Sequence, residues 1–578
     1  MRTPLSFALL LAVTASAPLQ AQQALGNLAA AGSPKAPKVQ IMWDRFYDHA
    51  AIGEIGRRLQ AAHPNTCRLS SIGKSHEGRE MWLITVTNFD VGNPDTKPAM
   101  YIDGNIHSNE VQGTEFSLYT AWYLCEMRGQ NAWVDSLLAS RTLYIVPTIN
   151  PDGREDFIHK PNNASSPRTG AVPRDSDGDG IADEDTYDDL DGDGSITQMR
   201  RRSKYGTMIE SPEEPRMMIR APAGTQGEWE LLGSEGIDND GDGLINEDGI
   251  GGYDPNRNWP WRWQPQYVQG GADFYPTSLP ETQNVVNFVT AHPNIAGAQS
   301  FHNNGGMILR GPGSPQDEYR PQDVRVFDEL GKVGERILPG YRYMVVWKDL
   351  YIVWGGELDW FYGGRGIVTF SNELWTDFKM FETADRSTNR YDNQSYEFDR
   401  LLLLKGAFTD WKPYNHPQYG PIEIGGFKKN FGRTEPGFLM QAEAHRNMAF
   451  SLYQTWQLPQ VEVDSVAVKS IGNGLSEVTA VVANRRLVPT HTQQDLENNI
   501  SPPDLVALAG AQVISGYRVT NTRTGESVEQ ERDPATIRLR NIAGNDIETV
   551  KWIVRGAGPV TVTVTSTKGG SHSLSSKR

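Results

Sequence analysis

The chain has 578 residues, 38% of them hydrophobic and 22% charged, with a formal net charge of −16. That length exceeds what one small core organises, so two or more domains are expected. The acidity is local: residues 175–193 hold ten Asp and Glu with no Lys or Arg, residues 238–248 hold five with none, and these fifteen account for all but one unit of the net charge. A near-neutral remainder argues against nucleic acid as a partner.

In chain order, residues 1–21 ("MRTPLSFALLLAVTASAPLQA") carry an early Arg2, an apolar run from Leu5 to Val13 and then small residues. This reads as a secretory signal peptide with cleavage after Ala17 or Ala21. The run is too short to cross a membrane, so secretion or export to a periplasm is expected without stable membrane insertion. Residues 22–38 read as a flexible lead-in. From Val39 helical and strand patterns alternate, which argues an α/β sheet domain over residues 39–457. "YDHAAIGEIGRRLQAAHP" and "EFSLYTAWYLCEMRG" have helical periodicity, while "KPAMYIDGNIH", "RTLYIVPTINPDG" and "GIVTFSNELW" read as strands. Residues 160–252 interrupt this order with a stretch rich in Pro, Gly, Asp and Glu. Residues 458–578 alternate as short strands and predict a small β-sandwich, immunoglobulin-like or transthyretin-like. Two cysteines exist, Cys67 and Cys125. An exported chain could join them, whereas the apolar helical setting of Cys125 suits a small buried thiol.

Three strand ends carry the chemistry. "GNIHSNEVQG" places His107 and Glu110 one turn apart after a strand, "QSFHNNGG" ends a second strand at His302, and "TFSNEL" ends a third at Glu373. Two histidines and a glutamate around one ion, with a fourth position for water, make a catalytic zinc arrangement. A lone H-x-x-E is weak and is ordinarily surface.

The motifs "NIHSNE", "NPDG", "DPNRNW", "SFH", "LYIVWGGELDW" and "TFSNEL" occur in one order, and through them the chain resembles the M14 family of zinc carboxypeptidases over nearly all of residues 40–455. The resemblance implies a mixed central sheet flanked by helices, with zinc on His107, Glu110 and His302. It implies that Asp254 accepts the proton on the far nitrogen of His107 and fixes its tautomer, and that Glu373 is the general base. Asn256 and Arg257 match the clamp for a terminal carboxylate, a task suited to a planar guanidinium. Tyr351 matches a mobile tyrosine that caps the bound terminus. An arginine should stabilise the oxyanion, and "ITQMRRRSK" offers Arg200, with Arg201 or Arg202 as alternatives. Asn109 stands where a common form of the family has arginine, removing one cationic substrate contact. Leu358 falls where the side-chain pocket is selected and suggests an apolar or aromatic terminal residue.

The acid falls into three D-x-D-G-D-G loops: Asp175, Asp177 and Asp179; Asp189, Asp191 and Asp193; Asp238, Asp240 and Asp242. This is the front half of an EF-hand-type calcium loop without its glutamate at position twelve. The expectation is an exported zinc metallocarboxypeptidase acting on peptides with a free C-terminus, its insertion ordered by calcium. Alternatives on the same fold are a cell-wall γ-glutamyl peptidase or an N-acyl amino acid amidase. A calcium-stabilised surface binding protein is the non-enzyme alternative.

Overall fold

The computed structural model describes residues 28–175, 178–382, 393–556 and 558–577. The signal peptide, the first residues of the lead-in and Asp177 lie outside them.

The first domain is built on an eight-stranded mixed sheet. Its strands are β1 (Cys67–Lys74), β2 (Glu80–Val86), β3 (Ala99–Gly104), β4 (Thr142–Val146), β5 (Ile295–Asn303), β6 (Met307–Arg310), β7 (Arg342–Val345) and β8 (Val368–Leu374). They lie in the order β1-β2-β4-β3-β5-β8-β6-β7. The inner strands β4, β3, β5 and β8 run parallel. β3, β4 and β5 are buried at every position, as expected of strands covered on both faces. One face packs on α1 (His49–Ala62), α2 (Gln112–Met127) and, late in the chain, a helix over Gly437–Gln457, through Ile52, Leu59, Phe116, Leu124, Met448 and Leu452. The other face meets Trp259, Trp360, Phe361 and the helix Pro280–Ala291. Cys67 and Cys125 are free buried thiols within the first of these cores.

Parallel strands place all their carboxyl ends on one edge, where loops gather around a ligand. β5 and β8 pair in register so that His302 and Glu373 are direct neighbours. β3 lies on the other side of β5, with Gly104 paired to Phe301. Three strand ends therefore meet at one point.

Residues 160–252 have little hydrophobic periodicity, yet they supply four strands, Gln198–Arg202, Met208–Glu210, Met218–Arg220 and Trp229–Ser234. The hairpin Phe408–His416 and Gly420–Phe427 completes them into a separate six-stranded sheet. Its core is small, built on Met199, Ile422 and Ile424, and a weak sequence pattern follows from so few buried positions.

The C-terminal region is two sheets of five and four strands. Alternate residues of Leu475–Asn484 and Asp504–Ala509 face inward, where Val478, Val482 and Trp552 meet Val506, Ile537 and Val564. This is sandwich packing. The sandwich docks on the α/β domain through buried charge. Lys568, 5% exposed, donates to Asp495 Oδ2 (2.9 Å) and to the carbonyl oxygens of Arg365 and Gly366, just ahead of β8. Asp495 also faces His491, whose Nε2 meets Asp504 Oδ1 at 3.2 Å. Burial pushes the His491 imidazole down, but hydrogen bonds and charge from Asp495 and Asp504 overcome it and raise it to about 9.

A folded-state value above the unfolded ~6.5 contributes stability that is complete below pH ~6.5 and lost as pH rises through about 9. The shift corresponds to roughly 3 kcal/mol. Chemical denaturation between pH 6.5 and 9.5 is expected to show falling stability, and His491→Gln is expected to flatten that slope. An unchanged slope in the variant contradicts this assignment.

Candidate metal centre

The turn bearing His107 and Glu110 is fixed by close packing. A Cβ on Gly104 would stand 2.7 Å from the Gly113 carbonyl carbon, and one on Gly113 would stand 2.8 Å from Phe301 Cβ. Glycine at both ends of "GNIHSNEVQG" lets α2 begin directly against β3 and β5. Asn105 adopts φ +56° and its Nδ2 donates to the carbonyls of His107 and Ser108. Arg154, fully buried and carried by the helix Pro151–His159 after the Asn-Pro-Asp-Gly turn, ties the turn from beneath. Its guanidinium donates to Asn105 Oδ1 (3.0 Å), Val111 O (2.7 Å), Tyr47 O (2.8 Å) and Glu115 Oε1 (2.5 Å).

His107 Nδ1, Glu110 Oε2 and His302 Nδ1 converge at 2.9 to 3.2 Å from one another. His107 Nε2 stands 2.9 Å from Asp254 Oδ1. A proton on Nε2 shared with that carboxylate leaves Nδ1 a lone pair directed at Glu110. Three electron-rich atoms then face one another in a site only 1–4% exposed. Three potential ligand atoms so close together, with one position shared by His302 Nδ1, Glu110 Oε2 and His107 Nδ1, form a group that a divalent cation can occupy. The donor set of two nitrogens and a carboxylate oxygen, with a carboxylate behind one imidazole, suits zinc.

Two guanidiniums complete the surroundings. Arg168 donates to Glu110 Oε1 (2.9 Å), lies 3.0 Å from His107 Nε2 and stands 3.6 Å from Asp254. Arg433 donates to Glu110 Oε1 (3.1 Å) and to Asn303 O (2.5 Å). Burial favours a neutral Glu110 carboxyl, yet the Arg168 guanidinium and hydrogen bonds from the two neighbouring imidazoles hold it well below the usual range. Burial likewise opposes the Asp254 charge, and Arg257 and His107 keep it ionised. Glu373 takes the opposite course. Burial first, then the Glu110 carboxylate, raise its carboxyl to about 7, with His302 and Arg168 opposing.

The cavity at this edge is lined by His107, His302, Arg168, Asn256, Arg257 and Glu373, together with Tyr351 and Leu358. Asp254 caps the short turn Pro255–Arg257 through the Asn256 N–H, and Asn256 Oδ1 in turn accepts from Glu357 N. Tyr351 is 54% exposed at the rim. Leu309, Val346, Leu350 and Val353 add apolar wall, and Glu357, Asp359 and Ser371 add polar wall.

Two expectations are corrected. Arg200 does not reach the cavity: it is clamped between Trp229 and Trp411 and ion-paired to Glu423 (2.7 Å) and Glu210 (3.0 Å) in the second sheet. Arg201 and Arg202 pair with Glu230 and Glu228 on the adjacent strand, so the arginine run is a cross-strand charge ladder. The arginine that reaches both Glu110 and the cavity is Arg168 in "SPRTG", an isolated residue whose only sequence signal is its place between the Asn-Pro-Asp-Gly turn and the acidic stretch. Asn109 is not on the cavity wall either. It is fully buried, with its N–H on Pro167 O (3.1 Å) and its Nδ2 on Ala164 O (3.3 Å). With Ser108, whose hydroxyl donates to Thr169 O, it holds the segment that carries Arg168. Arg433 also went unread, being far along the chain in a stretch without periodicity.

The acidic loops fold as repeated turns. Asp175 accepts from Gly178 N and Gly180 N, and Asp238 accepts from Gly241 N and Gly243 N in the same way. The two loops interlock, Asp183 N donating to Asp248 Oδ2 and Asn246 N to Asp185 Oδ1. The middle loop, around Asp189, Asp191 and Asp193, lies beside Glu235.

Comparison with known proteins finds relatives in sequence. A family model described as zinc carboxypeptidase, Peptidase_M14, matches residues 53–186 and 199–397. Residues 460–577 match a domain of unknown function, DUF8731. Mouse carboxypeptidase D is 40% identical over 100 residues, 17% of this chain and 7% of that protein. A zinc carboxypeptidase of Saccharothrix mutabilis subsp. capreolus is 33% identical over 96 residues, 16% of this chain and 21% of that one. This chain thus spans 7–25% of the length of the curated relatives it matches. Among solved structures, carboxypeptidase A of Helicoverpa armigera is 15% identical with a TM-score of 0.44, over 76% of this chain and 80% of that one. The matched family model covers more than half of the sequence and includes His107, Glu110, His302 and Glu373: the chain belongs to the Peptidase_M14 family of zinc carboxypeptidases.

Proposed function

We propose that this protein is an exported zinc carboxypeptidase that hydrolyses the last peptide bond of peptides with a free C-terminus. The convergence of His107 Nδ1, Glu110 Oε2 and His302 Nδ1 beside Glu373 and Arg257 carries this reading. His107, Glu110 and His302 would hold zinc, which supplies Lewis acidity that acidifies a water and polarises the scissile carbonyl. Glu373 takes the proton of the attacking water and returns it to the departing amine, a task suited to a carboxyl poised near neutrality. Arg168 donates to the carbonyl oxygen as it gains charge. Arg257 and Asn256 hold the terminal carboxylate, which fixes which bond lies beside Glu373. Asp254 keeps the Nε2 proton on His107. Tyr351, exposed at the rim, closes over the bound terminus. Export rests on the amino-terminal 21 residues, and no helix among the described residues is long and apolar enough to cross a membrane.

The acidic loops are proposed to bind calcium. The carboxylates of Glu184 and Glu247 are inaccessible and meet no hydrogen-bond donor. Each faces an acid of the other loop, Asp248 and Asp185. Such like-charge contacts are relieved by a shared proton or by a cation between them, and the repeated Asp turns favour the cation. The loops also tether the catalytic wall: Gly251 N donates to Asp183, and Thr169, next to Arg168, donates to Ile250 O.

Blocked dipeptides with a free C-terminus are expected to be cleaved and their amides to resist, with activity lost to a zinc chelator. Equal cleavage of the amides contradicts the carboxypeptidase reading. Glu373→Gln is expected to lower kcat about 10²–10⁴-fold and Arg168→Gln about 10²–10³-fold, while Arg200→Gln stays within about threefold of wild type because it lies in the second sheet. A loss at Arg200 that matches Arg168 would reverse their assignment. A calcium-selective chelator is expected to lower both the unfolding temperature and kcat/KM with zinc content unchanged. If both stay unchanged, calcium has no role in ordering this wall.

A further inference from the structure

The sheet stops short of the metal centre. The ladder between β3 and β5 runs as far as Gly104 and Phe301, one residue before His302 and three before His107. Beyond that point other contacts set the spacing of the two ligand-bearing segments. One buried side chain that the proposed chemistry leaves unused spans the gap. Gln112, two residues after Glu110 at the first position of α2, is fully buried and does not line the cavity. Its Oε1 accepts from the Nδ2 of Asn303, the residue after His302, at 3.0 Å and from Glu435 N at 3.2 Å. Its Nε2 donates to Glu435 Oε2 at 2.8 Å. A backbone N–H only donates, so the atom facing Glu435 N is the amide oxygen, and the partners fix which way the amide points. Asn303 Nδ2 also donates to Arg433 O at 3.1 Å, and Arg433 returns bonds to Asn303 O and Glu110 Oε1. One amide thus fastens the start of α2 with Glu110, the end of β5 with His302, and the irregular stretch that carries Arg433.

An amide at this depth is costly unless its groups are bonded, and an aliphatic side chain fills similar space without that demand. What the amide adds is direction: bonds of fixed length and angle between segments that the ladder no longer spaces. We propose that Gln112 is a positioning residue for the metal centre, which through Asn303 sets the distance of His302 from Glu110. It acts through the segments it joins, not by meeting the metal or the substrate. The inference rests on the reading of this centre as a zinc site. Contacts that orient metal ligands from outside are worth roughly 10–100-fold in metal affinity.

The test uses the full-length protein and two readouts other than turnover. One is the zinc dissociation constant, measured against a competing chelator; the other is the visible spectrum of the protein reconstituted with Co2+, whose bands report ligand geometry. Gln112→Met nearly keeps the volume and removes the bonds; it should raise the zinc dissociation constant about tenfold or more and shift the cobalt bands. Asn303→Ala removes the other end of the same bond and should also weaken zinc about tenfold or more. The double variant should lose less than the product of the two single losses, because both break one contact. Glu435→Gln keeps an acceptor for Gln112 Nε2 and leaves the backbone N–H in place, so it should stay within about threefold of wild type. A Gln112→Met protein with a lowered unfolding temperature but unchanged zinc affinity and cobalt spectrum overturns the proposal. So do losses that multiply in full in the double variant, or a loss in Glu435→Gln equal to that in Gln112→Met. If Gln112→Met fails to fold, Asn303→Ala decides alone, and wild-type zinc affinity in that variant overturns the proposal. A wild type that binds no zinc defeats the zinc reading itself, whereas a zinc-binding wild type with unaffected variants defeats this inference alone.

Discussion

Two imidazole nitrogens and a carboxylate oxygen, each an electron donor, lie within about 3 Å of one another in a buried pocket. Much of the domain serves to make that contact tolerable and to keep it in place. Asp254 Oδ1 stands 2.9 Å from His107 Nε2, where it can accept a hydrogen bond from that ring N–H and leave the other nitrogen turned towards the centre. Arg168 and Arg433 meet the far oxygen of Glu110, so the carboxylate keeps its charge despite burial. A cation at the centre then completes an arrangement in which each neighbouring group already has its role.

The scaffold behind the site is stiff for stated reasons. Parallel pairing of β5 with β8 sets His302 beside Glu373, and a one-residue slip would turn either side chain to the opposite face. The first ligand turn has no such register to rely on. It is held by glycine contacts to the strand, by the left-handed Asn105 and by the four hydrogen bonds of Arg154. The segment bearing Arg168 is in turn held to this turn by Ser108 and Asn109. One short stretch of chain thus positions two ligands and the arginine that faces them.

Most of this site was legible in the sequence because its members sit at strand ends and turns with local signatures. His107, His302, Glu373, Asn256, Arg257 and Tyr351 line one cavity, and Glu110 meets both histidines behind it. What escaped has a common physical origin. Arg168 and Arg433 come from irregular segments whose placement depends on tertiary contacts, which no local pattern encodes. Arg200 was misleading because three adjacent arginines look purposeful, whereas they pair with glutamates of neighbouring strands and their flanks. The second sheet was invisible because its strands are short and bury few residues. Glu357 was hidden by its neighbour: Leu358 was read as the pocket residue, and only the fold shows that the acid beside it also lines the wall. The β-sandwich was readable from strict alternation, but its docking through Lys568, Asp495 and His491 links residues that are remote in sequence.

The most direct measurement of the metal centre is the zinc content of the purified protein, wild type and variants, by elemental analysis. One zinc per chain is expected in the wild type. His107→Ala, Glu110→Ala and His302→Ala should each lose most of it, while Glu373→Gln should retain it because that carboxylate serves the water rather than the metal. A wild type that binds no zinc, or ligand variants that retain full zinc content, would contradict the assignment.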